Sequence, residues 1–425
     1  MTSSAHPGEA ALPREPHFGP AFNPFPTHPV PLAAKADTSA NRLRVQFTGS
    51  GSEYFRIWIV NLLLTLVTLG IYYPWAKVRR LRYFHGNTQV GGHALDFHGD
   101  PKKMLRGYLL VGLLLVLYAV ASRYSPIAGL VAMAIIAALW PALLKAGMQF
   151  RLANTSWRGL RFRFKGTLGG AYAALAPVLI PALMVAGLVA FAPATDTGPG
   201  TQPPGWFVAY VMALPLVMIA IVPWLLWRLK KYQHDHYAFA QWQTQLRAGP
   251  ASFYGLFFKT IGVALLAFAA FIGAVLLLVT VFGMAAFLTR GNGGEGGAGS
   301  VVAVFVTVVA AVIGLLVVQI LPRPYLTSRL QNLVWSRTGN RAMRFRSELK
   351  FVPLLGLTLK NWLLMVLTLG LYWPFAAVAL ARMRLDAVSI ETRDDPATLY
   401  ERARPADGDA AGDAAADLLD FDIGL

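Results

Sequence analysis

Cysteine is absent from the 425 residues of this chain. Its absence excludes disulfide bonds, thiolate metal sites and cysteine nucleophiles. Charge is also scarce, because charged residues make up 14% of the chain and hydrophobic residues make up 56%, whereas soluble domains carry about 25% charged residues. Apolar runs near the roughly 20 residues that cross a bilayer recur along the sequence. The sequence therefore predicts an all-α polytopic membrane protein with six to eight membrane segments.

The apolar segments contain no aspartate or glutamate. Coupled carriers usually place ionisable side chains inside the membrane. The sequence therefore favours a passive channel, a facilitator or a role other than transport over a coupled carrier. HExxH, GxSxG and Walker motifs are absent as well, and we expect no enzymatic activity and no cofactor.

His234 and His236 flank an aspartate, a pattern that can ligate zinc. Interfacial histidines are the commoner explanation, and we predict no metal site.

Basic loops alternate with loops that are poor in charge. The basic loops are 79–104, 149–167, 228–253 and 322–350, and the charge-poor turns are 123–126, 193–205 and 289–300. Because positive loops stay in the cytoplasm, this alternation predicts three helical hairpins with their basic ends inside. We divide the chain into a disordered tail (1–44), a membrane domain (45–385) and an acidic disordered tail (386–425).

Two kinds of internal repeat are visible. NLLLTLVTLGIYYPW (61–75) returns 300 residues later as NWLLMVLTLGLYWPF (361–375). The cytoplasmic loops repeat a second pattern, seen in NTQVGGHALDFHG (87–99), NTSWRGLRFRFKG (154–166) and more weakly in 332–347. Alternation bounded by Asn and Gly is typical of β-hairpins. We therefore expect small cytoplasmic β elements between the helical hairpins, although the loop 232–250 has lost most of the pattern.

The first and last apolar segments, 54–78 and 351–379, have basic residues on both flanks. A simple crossing of each segment gives eight spans and places one basic flank outside. A re-entrant hairpin, broken at Gly70–Pro74 and Gly370–Pro374, keeps both flanks inside and gives six spans. Non-helical backbone at that depth requires burial in protein or a cavity. The sequence leaves both alternatives open.

The run from Glu53 to Thr88, its later copy and the interspersed NT…Phe-x-Gly elements resemble the YjgN family of bacterial inner-membrane proteins. The resemblance covers about 45–385. The second copy departs from it at Phe375, where the first copy has Trp75. The resemblance implies an inner-membrane location and carries over no reaction, substrate or site residue.

Polar residues recur within the repeated segments at helical spacing. Asn61, Thr65 and Thr68 lie near one face of a helix, and Asn361 and Thr368 repeat the arrangement. They could line a pathway built from broken helices, as in transporters, or form hydrogen bonds between packed helices. The candidate residues for pathway lining or helix packing are Asn61, Thr65, Thr68, Gly70, Pro74, Asn361, Thr368, Gly370 and Pro374.

The formal net charge is +17, and the acidic residues are concentrated after residue 385. Basic residues near a membrane surface attract anionic head groups, which makes the bilayer the expected partner, with no nucleic acid. The residues expected to face lipid head groups are Arg79, Arg80, Arg82, Arg161, Arg163, Lys165, Lys230, Lys231, Arg344 and Arg346. The acidic tail either solubilises the chain or docks a protein partner, and the oligomeric state stays open.

Two functions fit these features. The first is a passive channel or facilitator for a small solute, lined by the Asn61 and Asn361 segments. The second is a membrane scaffold whose basic loops and acidic tail recruit anionic lipid or protein.

Overall fold

A computed structural model describes residues 42–191, 203–291, 304–311, 314, 318 and 320–393. The tails beyond these limits, most of the turn 193–205 and part of the span predicted at 301–321 lie outside the described residues. The described residues are helical for most of their length. Strand β1 begins at Arg42 and β11 extends to Thr392, so the folded domain is longer at both ends than the predicted 45–385.

The helices are α1 (Gly51–Val67), α2 (Tyr73–Gly86), α3 (Pro101–Tyr124), α4 (Pro126–Ala153), α5 (Leu168–Leu175), α6 (Leu179–Ala190), α7 (Gly205–Asp235), α8 (Pro250–Gly291), α9 (Pro322–Ser336), α10 (Phe351–Leu367) and α11 (Trp373–Asp386). The strands are β1 (Arg42–Phe47), β2 (Thr88–Val90), β3 (His93–Phe97), β4 (Thr155–Trp157), β5 (Leu160–Phe164), β6 (Tyr237–Phe239), β7 (Trp242–Gln243), β8 (Gln245–Leu246), β9 (Thr338–Gly339), β10 (Met343–Ser347) and β11 (Val388–Thr392). Residues 304–311 are also helical and precede α9.

The strands join into one sheet of 11 strands, in the order β7-β6-β5-β4-β3-β2-β1-β11-β10-β9-β8. Every pairing is antiparallel. Thr244 alone separates β7 from β8, so the two ends of the sheet meet in one bent strand. The sheet is therefore a ring. This corrects the all-α prediction, because the β elements are parts of one continuous structure rather than small separate hairpins.

The ring has an apolar inner face and a polar outer face. Along β1, Val45 and Phe47 are buried, whereas Arg42, Arg44 and Gln46 are exposed. This alternation follows from the strand period of two, which sends successive side chains to opposite faces. The arginines of the loops therefore lie on the outside of the ring, and its interior is hydrophobic.

The chain reaches the ring five times through the same structural unit. In each unit a buried proline lies 14 residues before the first strand residue; these prolines are Pro74, Pro141, Pro223, Pro324 and Pro374. A second buried position follows the N-terminus of the first helix of each pair and is filled by Tyr54, Met104, Ala171, Phe253 or Leu354. The helices and strands therefore form five pseudo-equivalent units around one axis.

Each helix ends at the ring because side chains replace its backbone hydrogen bonds. Asn87 donates from Nδ2 to the carbonyl of Tyr83 at 2.9 Å, and Thr88 donates from Oγ1 to the carbonyl of Phe84 at 2.7 Å. Asn154 and Thr155 make the same two bonds in the next unit. Such bonds satisfy the carbonyls that the last turn leaves unpaired. They explain why Asn-Thr opens the loop repeats.

The Phe-x-Gly end of each loop repeat has a packing reason. A Cβ atom on Gly49 would lie 2.8 Å from the ring of Phe47, and one on Gly99 would lie 2.5 Å from Phe97. The glycine therefore provides the space in which the buried ring sits. In the loop 232–250, which has lost most of the sequence pattern, Leu246 and Ala248 occupy these positions and both are buried. The loop nevertheless forms strands β6, β7 and β8.

The helices also form a closed circle. Successive helices along the chain contact each other, with α5 and α6 joined through the short 3-10 turn Ala176–Val178, and α11 contacts α1. Among the described residues, five helices are long and apolar enough to cross a membrane, within 101–124, 126–153, 168–188, 205–235 and 250–284. Their apolar side chains are largely exposed on the outside of the circle, as lipid contact requires. Because all strands share one sheet, the predicted basic loops lie on one side of the protein.

The first and last apolar segments are helical hairpins. Helices α1 and α10 contain 17 residues each, which gives a length of about 25 Å, less than the roughly 30 Å of hydrocarbon. The chain enters the first hairpin from β1 and leaves it into β2, and these strands pair at Val45 and Val90. It enters the last hairpin from β10 and leaves it into β11, which also pair. Both hairpins therefore begin and end at the same sheet.

Candidate functional site

A chamber with a volume of about 990 Å³ lies on the axis of the circle. Its lower wall is the inner face of the ring, with alternate residues such as Leu43, Val45, Phe345 and Ile390. Its upper wall comes from the inner faces of α3 and α4, including Val111, Trp140, Leu143 and Leu144. The walls are therefore hydrophobic above and below. The volume is at the upper end of the range for small-molecule pockets, about 300–1,000 Å³.

A belt of polar side chains separates the two apolar walls. It contains one residue from each of the five helix–strand junctions: His85, Arg151, Gln233, Gln331 and Arg384. Each lies between three and seven residues before its strand begins. The pseudo-symmetry of the units therefore places five different polar residues at a similar level around the axis. We call this set the polar belt.

Arg384 and Gln331 fix each other across two units. The Arg384 guanidinium donates from Nε to Gln331 Oε1 at 2.8 Å, and the Gln331 amide donates to the Arg384 carbonyl at 2.8 Å. Arg384 has exposed surface, yet burial lowers the pKa of its guanidinium. Both observations fit a side chain that faces a chamber, because protein surrounds it while solvent-sized space remains beside it.

Arg151 contributes the second positive charge of the polar belt. Burial lowers the pKa of the neighbouring His85 imidazole below 6.5, and the charge of Arg151 lowers it further, although a hydrogen bond to the Leu81 carbonyl acts in the opposite direction. The lowered pKa favours the neutral form of His85. None of the described residues that line the chamber is Asp or Glu. The belt thus carries two arginine charges and no opposing carboxylate.

The nearest carboxylates on the same junctions have structural partners. Asp235 accepts a hydrogen bond from the backbone N–H of Leu246 at 2.7 Å and pairs with Lys231 at 2.8 Å. Asp386 accepts one from the N–H of Phe47 at 2.9 Å. These carboxylates secure the ring strands and do not face the chamber. The positive charge of the belt is left without a compensating acid on the chamber wall.

The predicted pathway residues lie outside the chamber wall. Asn61 and Asn361 are buried in α1 and α10, and the Oδ1 atom of each has no hydrogen-bond partner among the described residues. Thr65 donates to the carbonyl of Asn61 at 2.6 Å, and Thr68 donates to that of Leu64 at 2.7 Å. The threonines therefore bond within their own helix. None of the nine candidate residues is among the described residues that line the chamber.

The remaining residues of the repeated motif build the turns of the two hairpins. Gly70 and Gly370 have φ of 92° and 91°, a left-handed conformation that glycine adopts without a Cβ penalty. The Oγ1 of Thr368 accepts a hydrogen bond from the N–H of Tyr372 at 3.0 Å, and Thr68 does the same in the first copy. Pro74 and Pro374 are fully buried. The motif therefore specifies a tight helical turn.

We expect Asn61→Leu and Asn361→Leu, together, to leave solute flux unchanged and to preserve or raise the melting temperature. Leucine has a similar size and removes two buried carbonyl oxygens that lack partners, which cost free energy when unsatisfied. Flux into liposomes and thermal unfolding of the purified protein measure the two effects. A loss of flux with an unchanged melting temperature would indicate that the Asn61 and Asn361 segments line the pathway after all.

The predicted basic residues divide between the outer surface and the junctions. Arg161, Arg344 and Arg346 are exposed on outer strands, and Arg346 pairs with Glu348 at 2.7 Å and Glu391 at 3.3 Å. Arg79, Arg80, Arg82 and Lys165 are also exposed, whereas Arg163 is half-buried. Lys230 and Lys231 are half-buried in α7, where Lys230 donates to Gln233 of the polar belt at 3.1 Å. Lys230 therefore adds positive charge near the chamber rather than at the lipid surface.

His234 and His236, whose pattern can ligate zinc, form hydrogen bonds to different partners. His234 is buried with Nδ1 3.0 Å from Thr338 Oγ1, and His236 Nδ1 lies 2.8 Å from the Tyr232 carbonyl. No group of three or more His, Asp or Glu side chains that could hold a metal ion occurs among the described residues. The histidines act here in packing and in helix ends.

Comparisons with known proteins identify the family that the chain matches. The family model described as "Bacterial protein of unknown function (DUF898)" matches residues 42–418. The chain is 32% identical over 137 residues to an inner membrane protein YjgN of Salmonella typhimurium, covering 32% of this chain and 35% of the relative. It is 30% identical over 143 residues to inner membrane protein YjgN of Escherichia coli K12, covering 33% and 35%. Each match thus spans about a third of the relative's length. No solved structure matches the chain.

Proposed function

This chain belongs to the DUF898 family and is a multi-pass protein of the bacterial inner membrane, and we propose that its central chamber is the solute-binding part of a passive pathway. This keeps the passive function expected from the absence of membrane carboxylates. It moves the site from the Asn61 and Asn361 segments to the polar belt.

One observation carries the proposal: a chamber on the axis of a closed circle contains five polar side chains that converge from five units. Polar groups inside an apolar protein cost free energy unless they have partners. A membrane protein that served only as a scaffold has no need for such a belt. His85, Gln233, Gln331 and Arg384 have hydrogen-bond partners in the protein, which hold the belt in place beside the open chamber. The two arginines of the belt would attract an anion that passes along the axis.

The proposed topology has six spans and two re-entrant hairpins. The five long helices and the helical residues that precede α9 supply the spans. The α1–α2 and α10–α11 hairpins enter the bilayer from the side of the ring and return to it. Their turns contain Gly70 and Gly370 in left-handed conformations. Leu69 and Leu369 at these turns are 94% and 93% exposed, and backbone groups of each turn bond within it, as the N–H of Gly70 does to the Thr65 carbonyl at 2.8 Å, which leaves fewer polar groups unpaired in the bilayer.

A single cysteine at Ala381 tests the pathway, because the chain has no cysteine of its own. Ala381 lines the chamber one turn before Arg384. We expect proteoliposomes with Ala381→Cys to release hexanesulfonate, a small permanent anion, and to lose this flux to the level of protein-free liposomes after modification with a bulky maleimide. The maleimide adduct would fill the space at the polar belt.

The matched control is Gln46→Cys, which lies exposed on the outer face of β1. Modification at this position is expected to leave flux unchanged, since the adduct points away from the chamber. Complete modification of Ala381→Cys without loss of flux would contradict the proposed route. Equal loss in both variants would show that the reagent disturbs the ring rather than the chamber.

A membrane scaffold is the second candidate, and the outer face of the ring favours it. Arg42, Arg161 and Arg344 are exposed there, and each basic residue near an anionic surface is worth about 1 kcal/mol. The scaffold requires these arginines and not the chamber. Suppose that the protein binds anionic vesicles through the outer arginines and shows no solute flux. The scaffold would then be the supported function, and the pathway would be wrong.

A further inference from the structure

The polar belt carries an excess of positive charge in an apolar chamber. Arg151 and Arg384 both line it, and Lys230 lies beside it through its bond to Gln233. The partner of Arg384 at this level is the neutral amide of Gln331. The acids of the same junctions, Asp235 and Asp386, bind backbone N–H groups of the ring. Charges in such surroundings are costly unless an opposite charge joins them.

The walls determine what kind of anion fits. Above the belt lie Val111, Leu143 and Leu144, and below it lie Leu43, Val45 and Ile390. A small inorganic anion would leave these apolar surfaces in contact with water. A ligand with an anionic group and an apolar body would cover them and bring a counter-charge to the arginines, and burial of its apolar surface would contribute about 25 cal/mol per Å².

We propose that the chamber binds a single-chain amphiphilic anion, in which a long alkyl chain ends in a carboxylate or a phosphate. The anionic group lies at the level of Arg151 and Arg384, and the chain lies along the apolar wall. A volume of about 990 Å³ is in the range of small-molecule pockets, which favours one chain over a two-chained phospholipid. The inference deepens the proposed function, since it names the ligand class of the same site.

Binding can be followed by tryptophan fluorescence, because Trp140, Trp157, Trp242 and Trp335 line the chamber. The full-length protein is placed in nanodiscs of zwitterionic lipid and titrated with dibromostearate, whose bromine atoms quench nearby tryptophans. Dibromostearyl alcohol is the uncharged arm, and the corresponding alkyl phosphate is the second anionic arm. We expect saturable quenching with both anions and a weaker, non-saturating response with the alcohol.

The variant Arg151→Gln/Arg384→Gln is expected to weaken binding of dibromostearate by about tenfold or more, since it removes both positive charges that hydrogen-bond to the anionic group. Arg151→Lys/Arg384→Lys keeps the charge and should retain much of the affinity, which separates the role of charge from misfolding. Arg161→Gln/Arg344→Gln removes the same charge from the outer face, where both residues are exposed, and should bind as the unmodified protein does.

The outcomes separate this inference from the proposed pathway. Equal affinity for the acid and the alcohol, or unchanged affinity in Arg151→Gln/Arg384→Gln, would overturn the amphiphilic anion. Full competition by acetate or inorganic phosphate would overturn it too, since the apolar walls would then contribute nothing. Hexanesulfonate flux without stearate binding would leave the pathway standing and the inference wrong. Stearate binding without any flux would support the inference and refute the pathway.

Discussion

Cysteines introduced at Ser52 and Gln245 are expected to resist a membrane-impermeant maleimide in intact cells and to react only after lysis. A cysteine at Tyr124 is expected to react in intact cells. Ser52 and Gln245 are exposed residues next to or within the ring, and Tyr124 is 85% exposed at the opposite end of the α3–α4 hairpin. The effect is all or none, because a bilayer separates the reagent from one set of positions.

The expectation follows from the connectivity of the ring. Strands β1 and β2 pair with each other, so the start of α1 and the end of α2 must lie on one side of the membrane. The arginine-rich loops lie at the same sheet, and the positive-inside rule places them in the cytoplasm. A crossing of the first segment would separate β1 from β2 by the full thickness of the bilayer, which the observed pairing forbids.

Each alternative result has a definite meaning. Reaction of Ser52→Cys and Gln245→Cys with protection of Tyr124→Cys would invert the orientation and leave the ring intact. Reaction of Ser52→Cys and Tyr124→Cys with protection of Gln245→Cys would break the ring, because two residues at one sheet would lie on opposite sides. The eight-span alternative would then replace the two hairpins.

Much of this architecture could be predicted from local patterns. Hydrophobic length identified the long helices, and the alternation between Asn-Thr and Phe-x-Gly identified three of the β-hairpins. These signals are local, because a strand alternates by its own geometry and a helix end needs a cap within four residues. Thr88, for example, caps its helix through a hydrogen bond to the carbonyl of Phe84, four residues earlier.

Ring closure could not be read from the same patterns. Strand β1 pairs with β11, and Leu43 faces Ile390 across that pairing, so the contact joins residues almost at opposite ends of the chain. A signal was nevertheless present in the sequence. Five prolines precede the five strand entries by the same 14 residues, and alignment on these prolines would have shown five units rather than two copies of one motif.

The chamber was missed for a related reason. No single residue type is shared by all five units at the polar belt, which has arginine in two units, glutamine in two and histidine in one: Arg151 and Arg384, for example, occupy the position that Gln233 occupies in α7. The repeated letters instead mark what every unit shares, which is a turn, a cap or a packing contact. Asn61 and Asn361 are buried in α1 and α10 and do not line the chamber, whereas the less regular positions do.

The seam between the first and last units is expected to be the most sensitive point of the fold to a single substitution. Tyr54 is 2% exposed. Its ring stacks on Tyr83 at 5.3 Å, meets the edge of Phe84 at 5.0 Å and lies 6.1 Å from Trp373 of the last unit. Aromatic pairs of this kind contribute beyond their buried area. The cluster closes the circle of helices where α1 meets α11.

We expect Tyr54→Ala to cost about 3–5 kcal/mol, as large-to-small aromatic substitutions in cores do, and to lower the melting temperature of the purified protein by on the order of 5–10 °C. Tyr54→Phe keeps the ring and should stay close to the unmodified protein. Tyr124→Ala removes a tyrosine that is 85% exposed and is the control for loss of an aromatic outside the cluster. Similar melting temperatures for Tyr54→Ala and Tyr124→Ala would show that the circle of helices does not depend on this seam. The pairing of strands in the ring would then be the contact that joins the first and last units.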